Sequence, residues 1–146
     1  MSAGISSLNR AADCIFCKII DRTADALIIH EDDHTISFLV LHPSVPGHTA
    51  VVPKVHHTDI YSIPEDVLSS LISSCQMHAL RWRERVGATG VNILNASGVD
   101  AEQSVFHFHF HLLPRFANDG YRTWPALRGT GQTREEMHAK FRIPPG

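Results

Sequence analysis

The chain has 146 residues, enough for one ordinary domain that removes roughly 70% of its unfolded surface from water, so a core forms without disulfide staples. Thirteen Lys and Arg against fifteen Asp and Glu give a formal net charge of −2, which supplies no global field to hold nucleic acid or an acidic membrane. With 43% apolar and 19% charged residues, and no apolar run near the ~18 residues of a membrane span, disorder, coiled coil and a transmembrane helix are excluded; the outlier is 11 histidines.

Residues 1–13 (MSAGISSLNRAAD) contain no apolar stretch of the secretory type and read as a flexible leader. Cys14 and Cys17 follow at Cys-x-x-Cys spacing. Together with Cys75, which is expected in the core, they make an odd set of three, which fits metal or redox chemistry in a reducing cytoplasm better than a disulfide framework. Short β-type segments at residues 26–31, 35–41 and 48–52 are bounded by Asp, Pro or Gly and suggest a meander. The clearest helix then starts at a capping box, Ser62-x-x-Glu65, with Pro64 in its first turn. Its apolar stripe runs through Val67, Leu68, Leu71, Ile72, Cys75, Ala79, Trp82 and Val86, and Gly87 stops it. Residues 90–95 read as a strand, 96–103 as a polar loop and 105–116 as a second strand. In the tail, residues 117–146, a short helix is predicted over 133–142, capped by Thr133 and Glu136. Strands on both sides of one long helix give an α+β fold with an antiparallel sheet of about five strands.

The segment 103–115 (QSVFHFHFHLLPR) carries the chemistry. In an extended strand His107, His109 and His111 share one face, while Phe106, Phe108, Phe110 and Leu112 turn to the core. At ~3.3 Å rise per residue, successive imidazoles stand about 6.6 Å apart, near enough to serve one ligand in different roles. A polar strand face or a set of three metal ligands would also use histidine. Strict period two opposite an aromatic face favours function, because strands prefer Thr, Val and Tyr and nothing structural requires repeated imidazole. A neutral imidazole, aimed by a hydrogen bond on its other ring nitrogen, is a competent nucleophile toward phosphorus at neutral pH.

His107-Phe108-His109-Phe110-His111-Leu112-Leu113 resembles the signature of the histidine triad (HIT) superfamily, His-φ-His-φ-His-φ-φ with φ hydrophobic. Residues 14–20 (CIFCKII), 46–56 (PGHTAVVPKVH), Asn95 and 103–107 (QSVFH) resemble the other blocks of that family, in its order, so a HIT domain is expected over about residues 14–116. The resemblance implies binding of a purine nucleotide or nucleoside phosphoramidate and cleavage at the α-phosphate. His109 would be the nucleophile, forming a nucleotidyl-imidazole that water resolves. His111 would hydrogen-bond a nonbridging phosphate oxygen, with His107 completing the triad. Ser104 would donate toward the leaving group, Gln103 and Asn95 would hold the phosphate, and Phe16, Ile19, Phe38 and Leu41 would wall the slot for base and sugar. Nucleoside phosphoramidase is the leading activity. Dinucleoside polyphosphate hydrolysis, or a zinc-containing nucleotide-binding protein without useful turnover, are the alternatives.

The similarity to zinc-bearing bacterial members implies a Cys₂His₂ site of Cys14, Cys17, His56 and His107, with a structural Zn²⁺ and no open coordination position. A one-residue shift would offer His57 in place of His56. The resemblance also implies a homodimer whose sheets join across a two-fold axis, with residues 90–95 as the joining edge. Two positions depart from the family pattern: Val40 stands where an Asp or Asn usually receives the ribose hydroxyls, and Glu102 where a Gly usually precedes the Gln. His30, His34, His42, His48, His57, His78 and His138 show no partner pattern and are expected mostly at the surface. Tyr121 and Trp124 would reach a neighbouring subunit's site or pack on the surface.

Overall fold

A computed structural model describes residues 10–146, so the first nine residues of the expected leader lie outside the described residues. Cys14 opens a short helix, α1 (Ile15–Ile20), by accepting the Cys17 N–H on its sulfur at 3.3 Å. Six residues are too few to display a helical period, which is why the sequence pattern did not reveal α1. Strands β1 (Ile28–Glu31) and β2 (Thr35–Leu39) form a hairpin. Its turn is pinned by the Asp32 carboxylate, which accepts the His34 and Thr35 N–H groups at 2.8 and 2.7 Å. Then come β3 (Thr49–Pro53), the long helix α2 (Glu65–Val86), β4 (Gly90–Leu94), a 3₁₀ turn (Val99–Ala101), β5 (Phe110–Arg115) and the tail helix α3 (Arg134–Phe141).

The five strands pair antiparallel in the order β1-β2-β3-β5-β4, which is the α+β architecture expected. Alternation along the strands makes two cores. Ile36 and Phe38 of β2 and Ala50 and Val52 of β3 meet Phe16 and Ile19 of α1 on one face. Val51, Phe108 and Leu112 meet Leu71 and Cys75 of α2 on the other. Complete burial of a side chain such as Phe108 or Leu71 contributes roughly 1.5–3 kcal/mol, so each helix is held by its apolar face more than by its propensity.

Several local expectations need correction. No capping box forms at Ser62: its hydroxyl and N–H bond Asp59 at 3.2 Å, closing a tight turn, and Pro64 is the N-cap without a side-chain cap. Glu65 and Asp66 in the first turn still complement the helix dipole. The buried face of α2 is Leu71, Ser74, Cys75 and His78, whereas Ile72 and Val86 are exposed. His78 is therefore a core residue, because the Ser37 hydroxyl gives its ring a buried partner at 2.7 Å. The β5 ladder begins only at Phe110, and Phe106 is exposed instead of facing the core. Before that point the backbone pairs with a loop, where the Phe108 N–H donates to the His57 carbonyl at 2.6 Å. The expected capping box of the tail does form between Thr133 and Glu136. Arg115 ties the tail to the sheet edge, gripping Asp119 at 2.8 and 2.9 Å and Asn92 at 3.0 Å.

Candidate active site

His107, His109 and His111 all turn to the α1 side of the sheet. Phe16 of α1 stands edge-on to the rings of His107 and His109, at centroid distances of 5.9 and 5.0 Å, and to Phe38 at 5.2 Å. The rings of His109 and His111 are 4.6 Å apart, closer than the strand repeat because they lean together.

Backbone groups at both ends of the hydrogen-bond chain fix every proton in it. The Ser44 N–H can only donate, and it donates to His48 Nδ1 at 3.0 Å. His48 must then carry its proton on Nε2, which donates to His111 Nδ1 at 2.8 Å. That forces the His111 proton onto Nε2, which donates to His109 Nε2 at 3.1 Å. His109 in turn holds its proton on Nδ1 and donates it to the His107 carbonyl at 2.8 Å. The result is a line of three neutral imidazoles ending in a lone pair on His109 Nε2. Burial holds the pKa of His48 and His109 below the usual histidine range, and burial with the neighbouring His109 and His48 pulls His111 down to about 4. His48 is the functional residue that sequence reasoning missed. Its signal was its place two positions after Pro46, at the start of the strand that pairs with β5.

Beside this line lies a second cluster. His107 Nε2–H donates to the Pro53 carbonyl at 2.9 Å, so its Nδ1 presents a lone pair. That atom stands 3.4 Å from Cys14 Sγ, 3.5 Å from Cys17 Sγ and 3.2 Å from His56 Nδ1, and Cys17 Sγ is 3.3 Å from His56 Nδ1. The four donor atoms lie within 4.8 Å of one another. Zinc bonds of about 2.3 Å to sulfur and about 2.0 Å to nitrogen, at tetrahedral angles, require donors roughly 3.3–3.8 Å apart. The four contacts of 3.2–3.5 Å lie at or just below the lower end of that range, and a small outward shift of the side chains would seat the ion, so these residues fit it. The Ala11 N–H also approaches Cys17 Sγ at 3.4 Å, a backbone donor that would steady a thiolate. Burial, with Cys14 beside it, pushes the Cys17 thiol up to about 11, a cost that a bound cation would offset.

The other expected site residues divide. Ile19 and Phe38 join Phe16 in one apolar group, and Val40 packs against it, whereas Leu41 is 87% exposed and stands outside. Asn95 Nδ2 donates to the His109 carbonyl at 2.9 Å and its Oδ1 accepts from Ser97 at 2.7 Å. Gln103 is committed at both ends, its Oε1 to the Gly98 N–H at 2.7 Å and its Nε2 to the Thr58 carbonyl at 2.8 Å. These two side chains brace the loop and the His109 backbone. Ser104 is exposed on that loop. Glu102 has φ of 66°, a left-handed conformation that favours glycine.

The HIT domain family profile matches residues 21–118. An uncharacterized HIT-like protein of Methanocaldococcus jannaschii is 40% identical over 107 residues, covering 73% of this chain and 82% of its own. An adenylylsulfatase of Arabidopsis thaliana is 32% identical, covering 73% of this chain and 54% of its own. Among solved structures, a HIT family protein of Bacillus anthracis superposes with TM-score 0.76 at 36% identity, covering 90% of this chain and 94% of its own. A zinc-bound histidine triad family protein of Mycobacterium smegmatis superposes with TM-score 0.72 at 35% identity, covering 78% and 84%.

Proposed function

The chain belongs to the HIT domain family, and from that membership we propose that it is a purine nucleotide hydrolase or transferase cleaving at the α-phosphate, with nucleoside phosphoramidates as substrates. The observation that carries this reading is the forced tautomer order, which leaves a lone pair on His109 Nε2 and a proton on His111 Nε2 at 3.1 Å. In the first step His109 Nε2 forms a bond to phosphorus as the bond to the leaving amine breaks, and the amine departs with a proton from solvent, directly or passed through the Ser104 hydroxyl, which takes a solvent proton as it gives its own. The His111 N–H then turns from His109 to a nonbridging phosphate oxygen, where a fixed donor meets developing charge. Water attacks the nucleotidyl-imidazole in the second step, releasing the nucleoside monophosphate and restoring the neutral ring. The Phe16, Ile19 and Phe38 group would take the base.

Zinc bound by Cys14, Cys17, His56 and His107 would supply a structural cross-link between α1, the end of β3 and the histidine segment. With no coordination position left open, the ion would brace His109 through its neighbour. The edge of β4, paired only to β5 among the described residues, and the exposed Ile93 and Leu94 on it support a homodimer joined there. The name of the Arabidopsis relative supports a second reading, in which sulfate is the leaving group on the same nucleotidyl centre. Initial rates on adenosine 5′-phosphoramidate, adenylyl sulfate and a diadenosine polyphosphate decide among these. The phosphoramidate should turn over fastest, and His109→Ala should abolish it. Equal turnover by His109→Ala would refute the covalent route, and preference for the sulfate would establish the second reading.

A further inference from the structure

On the sheet face opposite His109, α2 and the β1–β2 hairpin leave between them a groove of about 850 Å³, within the size range of small-molecule sites. Its helix wall is polar. Ser74, His78 and Trp82 recur every four residues and form the floor, while Arg81 and Arg85, also four apart, form the rim. Two features mark the groove as more than a solvated helix face. The first is the Ser74 hydroxyl, buried and without a hydrogen-bond partner among the described residues. His78 is already saturated, accepting the Ser37 hydroxyl on Nε2 and donating from Nδ1 to the Ser74 carbonyl, each at 2.7 Å. A buried hydroxyl left this way is destabilising unless a ligand or water bonds it.

The second feature is charge. Arg81 has only a loose contact with Glu84 at 3.6 Å, and Arg85 stands one turn on with no ion pair among the described residues. The carboxylate on the opposite wall, Asp32, is occupied by the His34 and Thr35 N–H groups and the Thr35 hydroxyl, with His30 at 3.9 Å. Those donors hold Asp32 ionised, so the groove is polarised, negative at the hairpin wall and positive at the arginine rim. Trp82, edge-on to His78 at 5.7 Å, adds a flat apolar surface of the kind that packs against the C–H face of a sugar.

We propose that this groove binds a sugar phosphate, with the phosphate between Arg81 and Arg85, the sugar ring on Trp82 and one of its hydroxyls bonded to Ser74 Oγ. The site is independent of the triad. The sequence has two tryptophans, Trp82 and the exposed Trp124, so Trp124→Phe leaves Trp82 as the only indole reporter. Titrating that variant with ribose 5-phosphate should give a saturable change in Trp82 emission. Binding should weaken by about tenfold or more in Arg81→Glu/Arg85→Glu and about fivefold in Ser74→Ala, and should be unchanged in His109→Ala. The arginines are exposed, and circular dichroism checks that the double variant is folded. Absence of a saturable change overturns the proposal. So does a response that survives Arg81→Glu/Arg85→Glu or is lost in His109→Ala. Inorganic phosphate or ribose binding as tightly as ribose 5-phosphate, or a Glu-rich peptide producing the change when ribose 5-phosphate does not, also overturns it.

Discussion

His48→Leu tests the tautomer order, because His48 touches neither the proposed leaving group nor the cation cluster. The substitution removes the acceptor of the Ser44 N–H and the donor to His111 Nδ1, at 3.0 and 2.8 Å, from a site only 7% exposed. Each of the two orphaned groups costs about 1–3 kcal/mol, so a loss of roughly 2–6 kcal/mol in stability is expected. The catalytic consequence is separate. Without the His48 proton nothing fixes the His111 tautomer or holds its ring in place, so Nε2–H is no longer aimed toward phosphate. Loss of one such donor lowers kcat on the order of 100-fold. His48→Gln keeps an N–H at the ε position but no acceptor at the δ position. It should lose stability while retaining kcat to within about tenfold. Initial rates on adenosine phosphoramidate, thermal melts and imidazole ¹⁵N shifts of His111 read the three quantities. If His111 stays protonated on Nε2 in His48→Leu, and kcat changes by less than about twofold, the relay reasoning is wrong.

Gly47 has φ of 84°, and an added Cβ would stand 2.8 Å from Cγ of the buried Pro114 ring. Gly47→Ala should cost about 2–4 kcal/mol and lower Tm on the order of 5–15 °C; a change under about 2 °C would contradict the packing. Val40 lines the apolar group where ribose hydroxyls would need an acceptor, so Val40→Asp should raise the preference for ribo- over deoxyribonucleotides about fivefold to tenfold in KM, and no gain would place the sugar elsewhere. Saturating zinc at 100 times its Kd should stabilise the protein by about 2.7 kcal/mol, with Cys17→Ser losing the shift; an unchanged Tm on chelation would exclude a structural ion. In the presence of chelator, stability should fall with acid. His111 titrates near 4 in the folded chain against ~6.5 unfolded, so the unfolded state takes the proton first, and stability is lost from about pH 6.5 down to 4. His48, His78 and His109 act in the same direction, and a higher Tm at pH 5 than at pH 7 would contradict neutral buried imidazoles.

The triad was legible because repeated imidazole is a residue choice that strands do not otherwise need, at a spacing that a pleat converts directly into a shared face; Cys14 and Cys17 were legible from their spacing, but His56 and His107 were joined to them only by the family resemblance. The sheet was legible through its punctuation, short β-type segments bounded by Asp, Pro or Gly. His48 and His78 were not, since a lone histidine is assigned only by its partner, and those partners, His111 and Ser37, are 63 and 41 residues away. The capping box at Ser62 misled because Asp59, three residues upstream, competes for the same hydroxyl. Leu41 misled because β2 ends at Leu39, so its side chain turns outward beyond the last ladder pair. Gln103 and Asn95 have the right chemistry for a phosphate, but the loop they belong to takes up their hydrogen bonds.

The claim on which the account turns is that a covalent bond forms between His109 Nε2 and phosphorus. Wild-type protein mixed rapidly with adenosine phosphoramidate, quenched without acid and digested, should yield one adenylylated peptide with the group on His109, and His109→Ala none. Turnover with the peptide containing His109 unmodified at every quench time, or an adenylyl group on His111 or Ser104 instead, would contradict it.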